Sequence, residues 1–451
     1  MRDLVIRSTR VVTPGGIGAH AVLVRGGRIT GIADLTTTIA GAESVDVGEA
    51  VVMPGLVDTH VHVNEPGRTE WEGFATATHA AAAGGVTTLL DMPLNSIPAT
   101  TSAAALETKR AAARGQCWVD VGFLGGVVPG NATELDGLFD AGVLGFKSFL
   151  VPSGVPEFAH VDEHDLRVAL PVLARLGAAL MVHAELPGPL AAAPRATSRR
   201  SYAEYAASRP RGAEEEAIAL VLSLAEECGT RVHIVHVSSG DSLALLAAAR
   251  SRGVSVTAET CPHYLYFAAG EIPEGGTEFK CAPPIRESSD RDELWNALDA
   301  GVLDCIVSDH SPCPPEMKCR DTGDFGAAWG GIASLQLGLS IVWNGMRARS
   351  MAVERLATWM SAAPARLAGL ARRKGSIAVG RDADIVVWRP EEEYTVTAES
   401  LLHRHKLTPY LGARLPGVVE ATYLRGERIY ERGAVGALAR GLLLARDPSE
   451  R

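Results

Sequence analysis

The chain is predicted to fold as a closed (β/α)8 TIM-type barrel with a small β-sandwich domain formed by both chain ends. Three observations carry that expectation. From Val51 onward, apolar strand-like runs alternate with Ala-rich helical stretches, several of which end in Gly as helix C-termini commonly do. At the two chain ends the rhythm is instead one of short strands broken by turns. No G-x-G-x-x-G follows the first strand, so the alternative of a doubly wound open sheet lacks the mark of a dinucleotide site.

Residues 1–50 read as DLVIRSTRVV and then AVLVRGGRITGIA, with Gly26-Gly27 as a hairpin turn. The barrel strands are expected in GLVDTHVHV (55–63), VTTLLDMP (86–93), WVDVGFLGG (118–126) and LGFKSFL (144–150). They continue in AALMVHAE (178–185), RVHIVHVSS (231–239), VSVTAETCPHY (254–264) and DCIVSDHSP (304–312). Stretches such as EEEAIALVLSLAEECG and DSLALLAAARSRG supply the helices between them. Past Lys374 strands return in GSIAVGRDADIVVWRP and VVEATYLRGERIYERG. The expected division is therefore 1–54 with 375–451 as a small β domain, and 55–374 as the barrel. The last dozen residues, ending RDPSER, read as a frayed tail.

A length of 451 residues accommodates such a barrel with an appendage, and 47% hydrophobic with 21% charged residues is ordinary for a soluble globular protein. The net charge of −10, spread without long runs of one sign, argues against a nucleic-acid binder. No apolar run is long enough to cross a membrane, and MRDLVIRSTRVVTPGG lacks the core of a signal peptide. The seven cysteines are scattered with no CxxC, which suggests reduced thiols in a cytoplasmic protein.

The chemistry is expected where a barrel of this kind keeps its active site, at the C-terminal ends of the strands. Period two puts His60 and His62 on one face of the first strand, where two imidazoles can share a metal ion. Lys147 lies on the fourth strand, His183 on the fifth, His236 on the sixth and Asp309 on the eighth. A single histidine in an apolar strand is more often a packed core residue than a ligand. Four histidines and an aspartate at matching places on separate strands are hard to obtain by independent accident. Lys147 could simply run its stem along the barrel wall with a wet ammonium. Burial among cation-binding histidines would instead lower its pKa.

The pattern His60-x-His62, Lys147, His183, His236 and Asp309 resembles the amidohydrolase superfamily, in the cyclic-amidase branch that holds dihydroorotase, dihydropyrimidinase (hydantoinase) and allantoinase. The resemblance covers nearly the whole chain and is carried by HVNEPGRTEWEGF (62–74), DMPLNSIPATTS (91–102), GFKSFLVPSGVPEF (145–158), ETCPHYL (259–265), FKCAPPIR (279–286), SDHSPCPPEMK (308–318) and AWGGIASLQ (328–336). It is closest to the allantoin-hydrolysing members. It implies hydrolysis of the hydantoin ring of allantoin to allantoate, with two divalent ions as cofactors. Zinc is the first expectation, with manganese, cobalt or iron also able to fill such a site. It implies that Lys147 reacts with CO₂ to give a carbamate bridging the two ions, that Asp309 is both ligand and general base, and that the chain assembles as a homotetramer.

Two positions help choose among the relatives. Dihydroorotase-like proteins carry an arginine two residues after the second histidine, where this chain has Asn64; a neutral ureide ring needs no cation there. Hydantoinase-like proteins carry a tyrosine shortly after the bridging lysine, where this chain has Pro152. Asn64, Asn95, Ser153 and the backbone at Ala282 and Gly330 are the expected substrate contacts. Asp91 and His263 are expected near the site, His310 packs or caps on the opposite face, and Trp71 with Trp329 reads as a loop pair closing over the site or as ordinary packing. The alternatives are a hydantoinase or dihydropyrimidinase of different ring preference, and a scaffold relative without catalysis. Retention of all six candidate ligands argues against the last.

Overall fold

The computed structural model describes residues 3–446. Both chain ends meet in one sheet. From the N-terminal side come β1 (Leu4–Thr13), β2 (Gly16–Arg25), β3 (Arg28–Ala33), β4 (Glu43–Asp46) and β5 (Val51–Pro54). Gly26 and Gly27 have φ of 56° and 80°, so both take the left-handed conformation that a two-residue turn needs to pair Arg25 with Arg28.

The barrel follows at once with β6 (Leu56–Val61), β7 (Val86–Asp91), β8 (Asp120–Phe123), β9 (Gly125–Gly126) and β10 (Phe146–Phe149). It continues with β11 (Ala179–His183), β12 (Arg231–Ile234), β13 (Val256–Thr260) and β14 (Cys305–Ile306). All these pairings are parallel. β8 and β9 form a single barrel stave bent at Leu124, whose N–H turns to the Asp91 carbonyl at 3.1 Å. The ring closes where the His62 N–H donates to the His310 carbonyl at 2.8 Å and Val61 pairs in parallel with His310. Strands covered on both faces are apolar almost throughout, which is why these stretches read as continuous hydrophobic runs. The polar residues that interrupt them therefore stand out.

β15 (Ile385–Thr395), β16 (Arg414–Leu424), β17 (Glu427–Glu431) and β18 (Ala434–Val435) complete the outer sheet. Its nine strands run in the order β18-β17-β16-β15-β5-β1-β2-β3, with β4 alongside β1. One hydrophobic cluster joins Leu4, Ile6, Val22 and Val52 to Ile377, Ile385, Val387 and Tyr423, so residues from both chain ends share a core.

The base of the barrel is fixed by charge. Buried Lys374 lies 2.6 Å from Asp120, 3.1 Å from Asp382 and 2.5 Å from Asp384, and Arg425 adds a second cation on Asp120. The tail expected to fray is ordered as far as it is described. The Val121 N–H donates to Leu442, the Leu444 N–H donates back to Val121, and Leu444 is buried. Gly441 makes this approach possible, because a Cβ there would sit 1.9 Å from the Val119 carbonyl oxygen. Residues 447–451 of that expectation lie outside the described residues. Among the described residues, no helix is long and apolar enough to cross a membrane.

Candidate active site

The C-terminal ends of the barrel strands gather the predicted ligands. His60 and His62 both point inward, and their Nε2 atoms lie 3.1 Å and 3.5 Å from the same Asp309 carboxylate oxygen. These three side chains offer ligand atoms within 4.8 Å of one another, a spacing that fits one metal ion. A second pair faces them: His183 Nδ1 lies 2.9 Å from His236 Nε2. The His60 and His236 rings, 5.4 Å apart, join the two pairs. Lys147 on β10 is fully buried, its Nζ has no hydrogen-bond partner, and it lies 4.9 Å from the centre of the Phe149 ring.

Electrostatics keeps these groups in ligand form. Burial, then the positive charge of Lys147 and the neighbouring imidazoles, holds His60 well below the ordinary histidine range. Burial and His183 do the same to His236, and burial lowers His183. Neutral imidazoles have lone pairs free for a cation. Burial pulls the Lys147 ammonium down to about 8 against the opposing pull of Glu259 and Asp309. A fraction of neutral amine near physiological pH follows.

Two of the imidazoles are also held from behind by carboxylates. His60 Nδ1 lies 2.6 Å from Glu259, whose other oxygen lies 2.8 Å from His233, itself 2.7 Å from the Thr257 hydroxyl. His183 Nε2 lies 2.8 Å from Glu185, and Arg209 forks onto both Glu185 oxygens. Burial alone would raise the Glu185 carboxyl, but Arg209 and His183 outweigh it and hold it down at about 2. Glu185 is thus an anion that fixes His183 with Nδ1 toward His236. Asp58, pushed up to about 7 by burial, accepts from the His60 and Ser308 N–H groups and ties β6 to the loop that carries Asp309.

The backbone carries a matching signature. Asn64, Asn95, His236 and Asp309 have φ of 67°, 67°, 42° and 46°, a region that non-glycine residues seldom occupy. All four sit just beyond strand ends, where such strain concentrates at functional sites.

The site opens into a cleft of about 410 Å³. Asn95, Ser153, Ala282 and Gly330 line it, together with Pro152. Asn95 places Nδ2 3.4 Å from His62 Nδ1. The Ser153 hydroxyl turns away to the Phe158 carbonyl at 2.6 Å. Asn64 sits in a turn with a left-handed backbone, where its buried amide reaches the Pro312 carbonyl at 3.4 Å. Asp91 pairs with Lys109 and accepts from the Val63 N–H, so it braces the strand end. His310 accepts the Ser334 N–H and faces Glu72, consistent with a capping role on the opposite face. His263 is buried without a hydrogen-bond partner. Trp329 lines the cleft with Trp71 packed edge-on against it, ring centres 4.8 Å apart.

Glu259, Glu185, Arg209 and Lys280 were not expected from the sequence. Glu259 and Glu185 fall within stretches read as barrel strands (254–264 and 178–185), where both stand out as charged breaks; Arg209 lies at a charged helix start and Lys280 in a loop. Two further acidic groupings have the spacing of a metal site, but their geometry is already satisfied. His233 and Glu259 bond to each other, and Asp120, Asp382 and Asp384 are paired with Lys374, Arg425 and Arg373.

Comparison with known proteins agrees with this arrangement. Residues 51–429 match the amidohydrolase family. An allantoinase of Streptomyces avermitilis is 52% identical over 99% of both chains, and an allantoinase of Arabidopsis thaliana is 45% identical over 97% of this chain and 90% of its own. Among solved structures, an L-hydantoinase (dihydropyrimidinase) from Arthrobacter aurescens superposes with a TM-score of 0.94 at 32% identity, covering 99% of this chain and 100% of its own. A strand-end cluster of histidines, lysine and aspartate in a parallel barrel, and a match over most of the length, have one reading: the chain belongs to the amidohydrolase family.

Proposed function

We propose that this chain hydrolyses the hydantoin ring of allantoin to allantoate. The observation that carries the reading is the full-length likeness to allantoinases around a cleft whose wall holds Pro152, where hydantoinase-like proteins have a tyrosine. Family membership implies a divalent-metal site, and the donor set fits one. His60, His62 and Asp309 would hold one ion and His183 with His236 a second. The unpartnered buried amine of Lys147 fits conversion to a carbamate: the amine nitrogen bonds the carbon of CO₂ and loses one proton, replacing a cation among imidazoles by a two-oxygen anion. Zinc suits this mixed nitrogen and oxygen set.

When bound, such a pair supplies Lewis acidity to water and to the ring carbonyl. The chain's own residues do the rest. Asp309 accepts one water proton and returns it to the ring nitrogen as the C–N bond breaks, so one water is consumed, the ring N–H becomes an NH2 group, and the new carboxyl releases the second water proton as it ionises to carboxylate. Glu259 and Glu185 keep His60 and His183 aimed. Ala282 and Gly330 present backbone groups along the cleft for the ring.

Assay of purified protein against allantoin, hydantoin, dihydrouracil and dihydroorotate tests the reading, with allantoin expected to turn over fastest. Allantoin turning over no faster than the others would sink it in favour of the hydantoinase reading, which the L-hydantoinase superposition favours. The division into 55–374 as the catalytic barrel, with 1–54 and 375–451 as the second unit, is supported by the core shared between chain ends. A homotetramer is supported by the family resemblance, and a cytoplasmic location by seven free cysteines.

A further inference from the structure

Two cations in the cleft wall are not themselves candidate metal ligands, although Arg209 braces Glu185 behind His183. Lys280 lines the cleft, donates to the Ala328 carbonyl at 2.5 Å, and sits 5.4 Å from the centre of the Tyr205 ring. An ammonium has three N–H donors, so this leaves further donors for the cleft. Arg209 also lines the cleft. Its Nε and Nη2 are taken by Glu185, which leaves the Nη1 edge, and its side chain keeps 23% exposure. The two charges feel each other: burial, then Lys318 and Arg209, lowers Lys280 to about 8. Phe149, Met317, Ala327 and Ala328 supply apolar surface to the same cleft, beside the uncharged polar side chains of Asn95, Tyr205 and Ser311. Among the described residues, Glu185 is the single carboxylate in a salt bridge with either cation, and it is fully buried behind Arg209.

Hydrolysis of one ring amide occupies the metal-facing groups. It makes no use of the donors that Lys280 and Arg209 have left. A substrate with a second strong carbonyl acceptor, held outside the ring, would engage those remaining donors. A urea oxygen is such an acceptor and is neutral, so it enters a partly apolar cleft more cheaply than a carboxylate. We propose that Lys280 and Arg209 bind the carbonyl of an acyclic ureido arm, and so make the enzyme select ureido-substituted hydantoins over bare ones. The inference rests on the allantoin reading and deepens it.

The test is the ratio of kcat/KM on allantoin to kcat/KM on hydantoin, read in the metal-loaded enzyme. In Lys280→Met the ratio is expected to fall tenfold or more, mainly through KM for allantoin. Lys280→Gln keeps a donor for Ala328 while removing the charge, and it guards against a folding defect; the same fall is expected. An unchanged ratio, or an equal loss on both substrates, would reduce Lys280 to a brace for the Ala328–Gly331 loop and overturn the inference. A wild-type enzyme without preference for allantoin would overturn both readings. A wild-type preference that survives in both variants would overturn only this one.

Discussion

Glu259 spans two histidines, one carboxylate oxygen 2.6 Å from His60 Nδ1 and the other 2.8 Å from His233 Nε2. A ligand imidazole whose far nitrogen is held by a carboxylate is fixed in ring angle and in tautomer. In Glu259→Gln both contacts lose the negative charge, and one of the two acceptor oxygens becomes an NH2 donor. Metal affinity is expected to drop by about 10- to 100-fold, measured by competition with a chromophoric chelator. Unchanged affinity would show that Glu259 merely fills the barrel.

Lys147→Ala removes the one cation at the centre of the histidine cluster. If a carbamate is the functional form, metal content and turnover fall together, and a short carboxylic acid restores part of both. Metal analysis of the purified variant is the readout, and full occupancy would count against a bridging anion.

Gly330 and Gly331 stand side by side in the cleft wall but differ in what they allow. A Cβ on Gly331, at φ 147°, would meet the Ser311 carbonyl oxygen at 2.3 Å, whereas one on Gly330 meets nothing within 4 Å. Gly331→Ala is expected to cost at least about 2 kcal/mol, seen as a lowered chemical-denaturation midpoint. Gly330→Ala should stay within about 0.5 kcal/mol of the parent.

Lys374 sits in the base of the barrel among three buried carboxylates. Lys374→Met strands those charges and is expected to cost about 3–5 kcal/mol. The pH dependence has a definite sign. Burial lowers the ammonium's pKa, but Asp384, Asp120 and Asp382 outweigh it and raise it above the ordinary 10.5. The stabilisation is therefore fully present below that value and is lost as pH rises through the higher folded one. The difference in Tm between parent and variant should be level from about pH 7 to 9 and shrink above about 10.5. A difference that is flat to strong alkali would contradict this.

Much of the site was legible because its residues break a rule. His60, His62, Lys147, His183 and His236 are polar groups in strands that are otherwise apolar, and the strand rhythm placed them at one end of one barrel. What the sequence hid was the support behind them. Arg209 belongs to RPRGAEEE, which reads as a charged helix start facing solvent, yet the fold turns its guanidinium onto Glu185. The segment 440–446 was misread because its contacts with Val121 are backbone hydrogen bonds, which composition does not record.

The seam at His62 and His310 has a bearing on biosynthesis. Ring closure joins the first barrel strand to the last, and Asp309 sits one residue from that joint. A nascent chain that has emerged only through residue 300 already holds every histidine of the cluster but has neither the closing contact nor the carboxylate. Loading of cations should consequently be a late step that follows release of the final third of the polypeptide, and truncated translation products should emerge empty.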